Sequence, residues 1–184
     1  MNRTIPVLAV LGAAISLGAC SGGPDEPPVP DGFVRYRGGG VSFVHPAGWR
    51  PVRTTDERNR PVLDVNGPEL PSGLYDGQVH LERVPGWRRG LGVQVRQFRG
   101  AALLNGYTVT ADRAARVEGA AAARRIEATY AADGASGKVP FRMLGLFVLT
   151  RDHVLRGFIL RSPVSGSANA DLARIYESFR LIKE

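Results

Sequence analysis

Disulfides are excluded at the outset, because the 184-residue chain carries a single cysteine, Cys20. Histidine is scarce too: His45, His80 and His153 lie far apart, and none has a second ligand at zinc spacing. Neither a metal site nor a cofactor is expected. No Gly-x-Ser-x-Gly elbow occurs, and Gly86, Gly90 and Gly92 lack both the Gly-x-Gly-x-x-Gly pattern and the Lys-Ser/Thr ending of a phosphate-cradling loop. Folding could still gather His45, Asp64 and a serine, as it could in almost any chain. With no convergent set in view, no catalytic residue is assigned and the chain does not read as an enzyme. Lysine is nearly missing. Lys138 and Lys183 are the only two among 24 basic residues, so arginine carries the net charge of +7. That skew, with abundant alanine and glycine, is what GC-rich coding produces, and its plain reading is charge spread over solvated faces. Long apolar runs are also lacking, with one exception. Ile5 to Ala19 is mostly apolar but holds Pro6, Gly12 and Gly18, and it falls short of the ~20 residues a spanning helix needs.

What surrounds that run gives it a meaning. Arg3 precedes it, small residues close it, and Cys20 follows, which is the layout of a secretory signal. The wording Leu17-Gly18-Ala19-Cys20 resembles the lipobox of bacterial lipoproteins, in which the thiol receives a diacylglycerol and the peptide before it is cut away. The resemblance implies a signal peptide at residues 1–19, lipidation at Cys20, and an extracytoplasmic chain held on the cell membrane. The alternatives are a transmembrane helix and an ordinary cleaved signal beside an incidental thiol, although an unpaired cysteine is a liability in an oxidising compartment. Residues 20–32 hold four prolines and three glycines and no run of large apolar side chains, so they read as an extended tether. Residues 33–184 suffice for one domain with a core. Nucleic acid is not an expected partner of an exported chain, whatever its charge. An anionic membrane surface would attract it, at about 1 kcal/mol per cation near the surface.

Within the domain, Phe33–Tyr36 and Val41–Val44 read as strand on either side of a glycine bend, and Trp49 returns apolar surface to the core after Pro46 and Gly48. Arg50–Thr54 is a short returning strand. Residues 55–77 resist assignment, apart from a brief strand at Pro61–Val65. Gln78–Val84 alternates as a half-buried strand should. Between Arg88 and Asn105 the period changes: Leu91, Val95, Phe98 and Ala102 share one helical face, and Asn105-Gly106 is a stop signal. A meander follows, through Tyr107–Thr110, Ala121–Tyr130, the doubly apolar Val139–Thr150 and Val154–Leu160. The alanine-rich stretch 114–123 favours helix by propensity, yet Gly119 interrupts it and Ile126–Tyr130 alternate, so strand is preferred. A last helix is expected over Asn169–Leu181, with Leu172, Ile175, Tyr176 and Phe179 as its stripe and Ser167 or Asn169 as its cap. The fold class is therefore α+β: an antiparallel β-sheet with a mid-chain helix and a C-terminal helix packed against it.

That order resembles the PsbP-like fold, as do the wording Val41-Ser42-Phe43-Val44-His45-Pro46-Ala47-Gly48-Trp49 and the closing Ser178-Phe179-Arg180. Small secreted actinobacterial lipoproteins of the LpqN-like group share that fold. The resemblance spans about residues 35–183 and implies an accessory or binding role, with no catalytic set to carry across. Two regions suggest a surface for that role. Trp87, Arg88 and Arg89, with Arg96 and Arg99 on the following helix, form a candidate basic, aromatic-edged patch for an anionic envelope component or an acidic protein face, and Arg113, Arg116, Arg124 and Arg125 could extend it. The alternative for this patch is a solvated face. The second region is the irregular stretch 55–77 with Tyr75, which could cover a cleft for a small lipophilic ligand or be a variable surface loop.

Overall fold

The computed structural model describes residues 26–183; the signal segment, Leu17-Gly18-Ala19 and Cys20 lie outside the described residues. The strands and helices run β1 (Phe33–Gly38), β2 (Val41–Pro46), β3 (Arg50–Thr55), β4 (Pro61–Asn66), β5 (Gln78–Val84), α1 (Leu91–Leu104), β6 (Thr108–Ala115), β7 (Ala120–Gly134), β8 (Gly137–Thr150), β9 (Leu155–Pro163), α2 (Asn169–Glu177) and β10 (Arg180–Leu181). Seven strands form one antiparallel sheet in the order β3-β4-β5-β9-β8-β7-β6, and β1-β2-β10 form a small second sheet. The expected α+β class, an antiparallel sheet with a mid-chain and a C-terminal helix, is the observed one.

Strand alternation divides the molecule into layers. On β8, Leu146 and Val148 point to one face of the large sheet, while Met143 and Phe147 point to the other. On β9, Phe158 and Leu160 separate from Leu155 and Ile159 in the same way. The first face packs against α2 and β2, where Phe43, Trp49, Leu172, Ile175 and Phe179 complete the core. The second packs against α1 through Leu91 and Val95. Both strands are apolar on both faces because they are covered on both.

Trp49 lies in the core as its turn predicts, and it dictates a glycine. A Cβ on Gly77 would stand 2.4 Å from the Trp49 ring, so only hydrogen fits there. Residues 55–77, which resist assignment in the sequence, are ordered backbone. Thr55 to Pro61 is the turn of the β3–β4 hairpin, and a Glu69–Tyr75 bridge closes a compact excursion before β5.

Three local expectations are corrected. The C-terminal helix ends at Glu177 and does not run to Leu181. The Ser178 hydroxyl donates to Ile175 O at 2.7 Å and accepts from Val44 N at 2.9 Å, diverting the chain so that Arg180 and Leu181 pair with Ser42 and Val41. Ser167 and Asn169 do not cap that helix. Ser167 donates to the buried Asp76, and the Asn169 amide donates to the carbonyls of Pro163 and Val164, leaving Ala168 at the cap position. Finally, the end of the proline-rich stretch is pinned to the domain, because Glu26 pairs with Arg35 and Arg37 of β1.

Candidate functional site

The Trp87 region is built by two turns that meet. Between β5 and α1, Gly86 takes a left-handed φ of 70°, and Trp87 N donates to His153 O at 2.7 Å, which holds the indole beside the sheet. From the other side comes the β3–β4 turn. Asp56 accepts from the backbone N–H groups of Arg58 and Arg60 at 2.9 Å each and from Arg60 Nε at 2.6 Å. The Arg60 hydrogen bonds hold the Asp56 carboxyl well down, at about 2, so the turn keeps its anionic cap at any ordinary pH. Between the two turns lies an open hollow of about 690 Å³, lined by Arg58, Gly86, Trp87, Arg88, Arg89 and Gln97.

The arginines of the expected patch separate into two kinds. Arg88, Arg89 and Arg96 are exposed, and their side chains have no carboxylate partner among the described residues; the same is true of Arg58. Arg99 is engaged, 3.5 Å from Asp112, which also accepts from Arg124 at 2.6 Å. Arg113 and Arg125 both reach Glu127 at 3.0 Å. They cannot extend the patch, because β7 alternates: Ile126 and Ala128 face α1, whereas Arg125 points to the α2 side and lies 4.8 Å over the Tyr176 ring. Arg113 pairs with Arg125 in register and shares its side, while Arg116 stands in the turn before β7. Arg96 and Arg99 lie on the outer face of α1, and neither lines the hollow.

Arg58 belongs to the site although sequence reasoning missed it. The Asp56-Glu57-Arg58-Asn59-Arg60 stretch was a legible turn signal, and Asn59 does adopt a left-handed φ of 59°. The pairing that brings this turn to Trp87 was not legible. The start of α1 adds to the charge: Gly90 stands at the cap position with no side-chain cap, and the first turn contains no acidic residue. The helix therefore presents its partially positive end beside Arg88 and Arg89.

The histidines stay apart. His80 Nδ1 is 2.9 Å from Asp64 Oδ1 across β4 and β5, with no hydroxyl or thiol group bonded to that pair among the described residues. His45 is buried, which pushes its pKa down, and its Nδ1 donates to Pro46 O at 2.9 Å. Among the described residues, no three His, Cys, Asp or Glu side chains gather as metal ligands, and no helix is long and apolar enough to cross a membrane.

No protein-family model matches the chain, and no curated protein matches it in sequence. Solved structures are similar in fold. One is a Pseudomonas aeruginosa protein of unknown function described as a candidate regulator, 13% identical with a TM-score of 0.51, covering 83% of this chain and 97% of that one. The Ran-binding protein Mog1p of Saccharomyces cerevisiae is 12% identical with a TM-score of 0.49, covering 82% and 95%. LpqN of Mycobacterium tuberculosis, involved in cell envelope biogenesis, is 16% identical with a TM-score of 0.45, covering 85% and 82%. Identities this low speak to the fold alone and transfer no residue roles.

Proposed function

We propose that the chain is a non-enzymatic, extracytoplasmic binding module, held at the cell membrane by lipid on Cys20, that captures an anionic envelope component or an acidic protein face. One observation carries the binding surface: Arg58, Arg88 and Arg89 converge on one hollow beside Trp87 with no carboxylate neutralising them among the described residues, while Arg99, Arg113, Arg124 and Arg125 are all paired. Unpaired guanidinium groups can offer bidentate hydrogen bonds to phosphate or carboxylate, and the indole supplies an apolar wall for whatever carries that group. Membrane attachment rests on the Leu17-Gly18-Ala19-Cys20 wording.

Crosslinking on intact cells tests both parts. The double variant Arg88→Glu/Arg89→Glu is expected to lower partner capture at least about tenfold and to remove its salt sensitivity. Equal capture by the variant would remove this surface from the account. Cys20→Ser is expected to release the chain from the membrane fraction, and retention of lipid labelling after that change would refute the anchor.

A further inference from the structure

A second hollow, on the α1 side of the sheet, has a different chemistry. It opens past the C-terminal turn of α1, measures about 350 Å³, and lies between Phe98 and Ala102 of the helix, Tyr107, Tyr130 of β7, Met143 of β8 and Arg161 of β9. That volume is at the lower end of what small-molecule sites occupy, roughly 300–1,000 Å³. Its wall is aromatic: the Tyr107 and Tyr130 rings stack with centroids 4.2 Å apart and planes 16° from parallel.

Arg161 is the one cation lining this hollow, and it is out of place by strand alternation. Leu155 and Ile159 of β9 supply the α1-side core, and two residues on, where the pattern calls for another apolar side chain, stands an arginine. It is half-buried. Its Nε is buried without a hydrogen-bond partner, and Nη1 makes only a 3.4 Å contact with Gln78 Oε1. No carboxylate pairs with it among the described residues; Asp133, at the rim, is engaged by Lys138 at 2.9 Å. A partly buried charge without a counter-ion is costly, so its retention at an apolar position points to a counter-ion from outside the chain.

We propose that this hollow binds a small amphiphile, with an anionic head, carboxylate or phosphate, on the Arg161 guanidinium and an apolar body against Phe98, Met143 and the Tyr107–Tyr130 stack. The site is separate from the Trp87 hollow and does not depend on the reading given to it. It also lies away from residues 55–77, where the sequence suggested a ligand cleft.

Titration calorimetry of the full chain with decanoate, decyl phosphate and decanol tests the proposal. At least one of the two anions is expected to bind about tenfold or more tightly than decanol, the margin of a charge-assisted hydrogen bond, and the better anion identifies the head group. Arg161→Met should erase that margin, and Arg161→Lys, which keeps the cation, should retain most of it. Decanol binding as tightly as both anions, or an undiminished margin in Arg161→Met, would overturn the proposal. Should Arg161→Met not fold, Ala132→Phe at the rim decides by filling the hollow: weakened anion binding supports the site, and unchanged binding overturns it.

Discussion

The two faces of the seven-stranded sheet are covered in opposite ways. On the α2 side, Phe158 sits between Phe43 and Phe179 at centroid distances of 5.0 and 4.9 Å, so β2 of the small sheet and the end of α2 share the cover of that face. On the α1 side one helix buries Leu91, Val95 and Ala102 and then ends with two leucines in solvent. The hollows lined by Arg88 and by Arg161 border α1, the first near its start and the second near its end, and a further hollow of about 470 Å³, lined by Arg142 and Tyr176, opens beside α2. More buried side chains meet on the α2 side of the sheet than on the α1 side. The α1 side is only partly roofed, because its helix ends in exposed Leu103 and Leu104.

Breaking this comparison begins with the cores. Phe158→Ala should cost about 3–5 kcal/mol, because the side chain is fully buried among rings that cannot close over the cavity. Leu91→Ala should cost about 2 kcal/mol, at the low end for such changes, since its side of the sheet can relax toward solvent. Urea denaturation of both variants decides the point, and equal losses would mean that the faces are equally stabilising.

Alkaline pH sharpens the contrast at intermediate scale. Burial pushes the Tyr130 hydroxyl up to about 12, against 10.0 in an open chain. Between these values the unfolded chain gives up the proton while the folded chain keeps it. The native state then binds more protons, so stability falls as pH rises through this window. Tyr130→Phe should flatten that decline. Tyr176, on the α2 side, is also raised by burial, but Arg125 over its ring opposes the shift, so Tyr176→Phe should flatten it less. Thermal melts from pH 9 to pH 12 would show the order, and a larger effect at Tyr176 would reverse it. The smallest effect is expected at the helix end: Leu104→Gln should change stability by no more than about 0.5 kcal/mol, because the side chain touches little that is buried. A loss several times larger in the same urea assay would show that the exposed leucines are covered in solution.

Local pattern carried most of the elements. The stripe of Leu91, Val95 and Ala102 announced α1, and Asn105-Gly106 its end. Gly119, at a φ of 77°, divides the alanine-rich stretch into β6 and β7 against its helical propensity. Where reading failed, a distant contact had intervened. Phe179 satisfies the helical stripe of α2, yet it reaches the core from beyond the last turn, because Ser178 is tied to β2. Arg125 looked like a continuation of the Trp87 patch, although counting alternation from Ile126 would have sent it to the other face. Arg58 gave no local sign of belonging to a hollow, and Arg161 only a break in the strand alternation, because their neighbours there arrive from distant parts of the chain.

By itself the sequence determined the α+β class, the periodicity of each face, a disulfide-free domain and the arginine-borne charge, since these depend on composition and on neighbours a few residues apart. Tertiary structure decided which arginines are neutralised and which have no carboxylate partner among the described residues. An ion pair depends on separations of a few ångströms between residues far apart in the chain, and strand order, not spacing along the sequence, brought Arg58 to Trp87 and Arg161 beneath Tyr130.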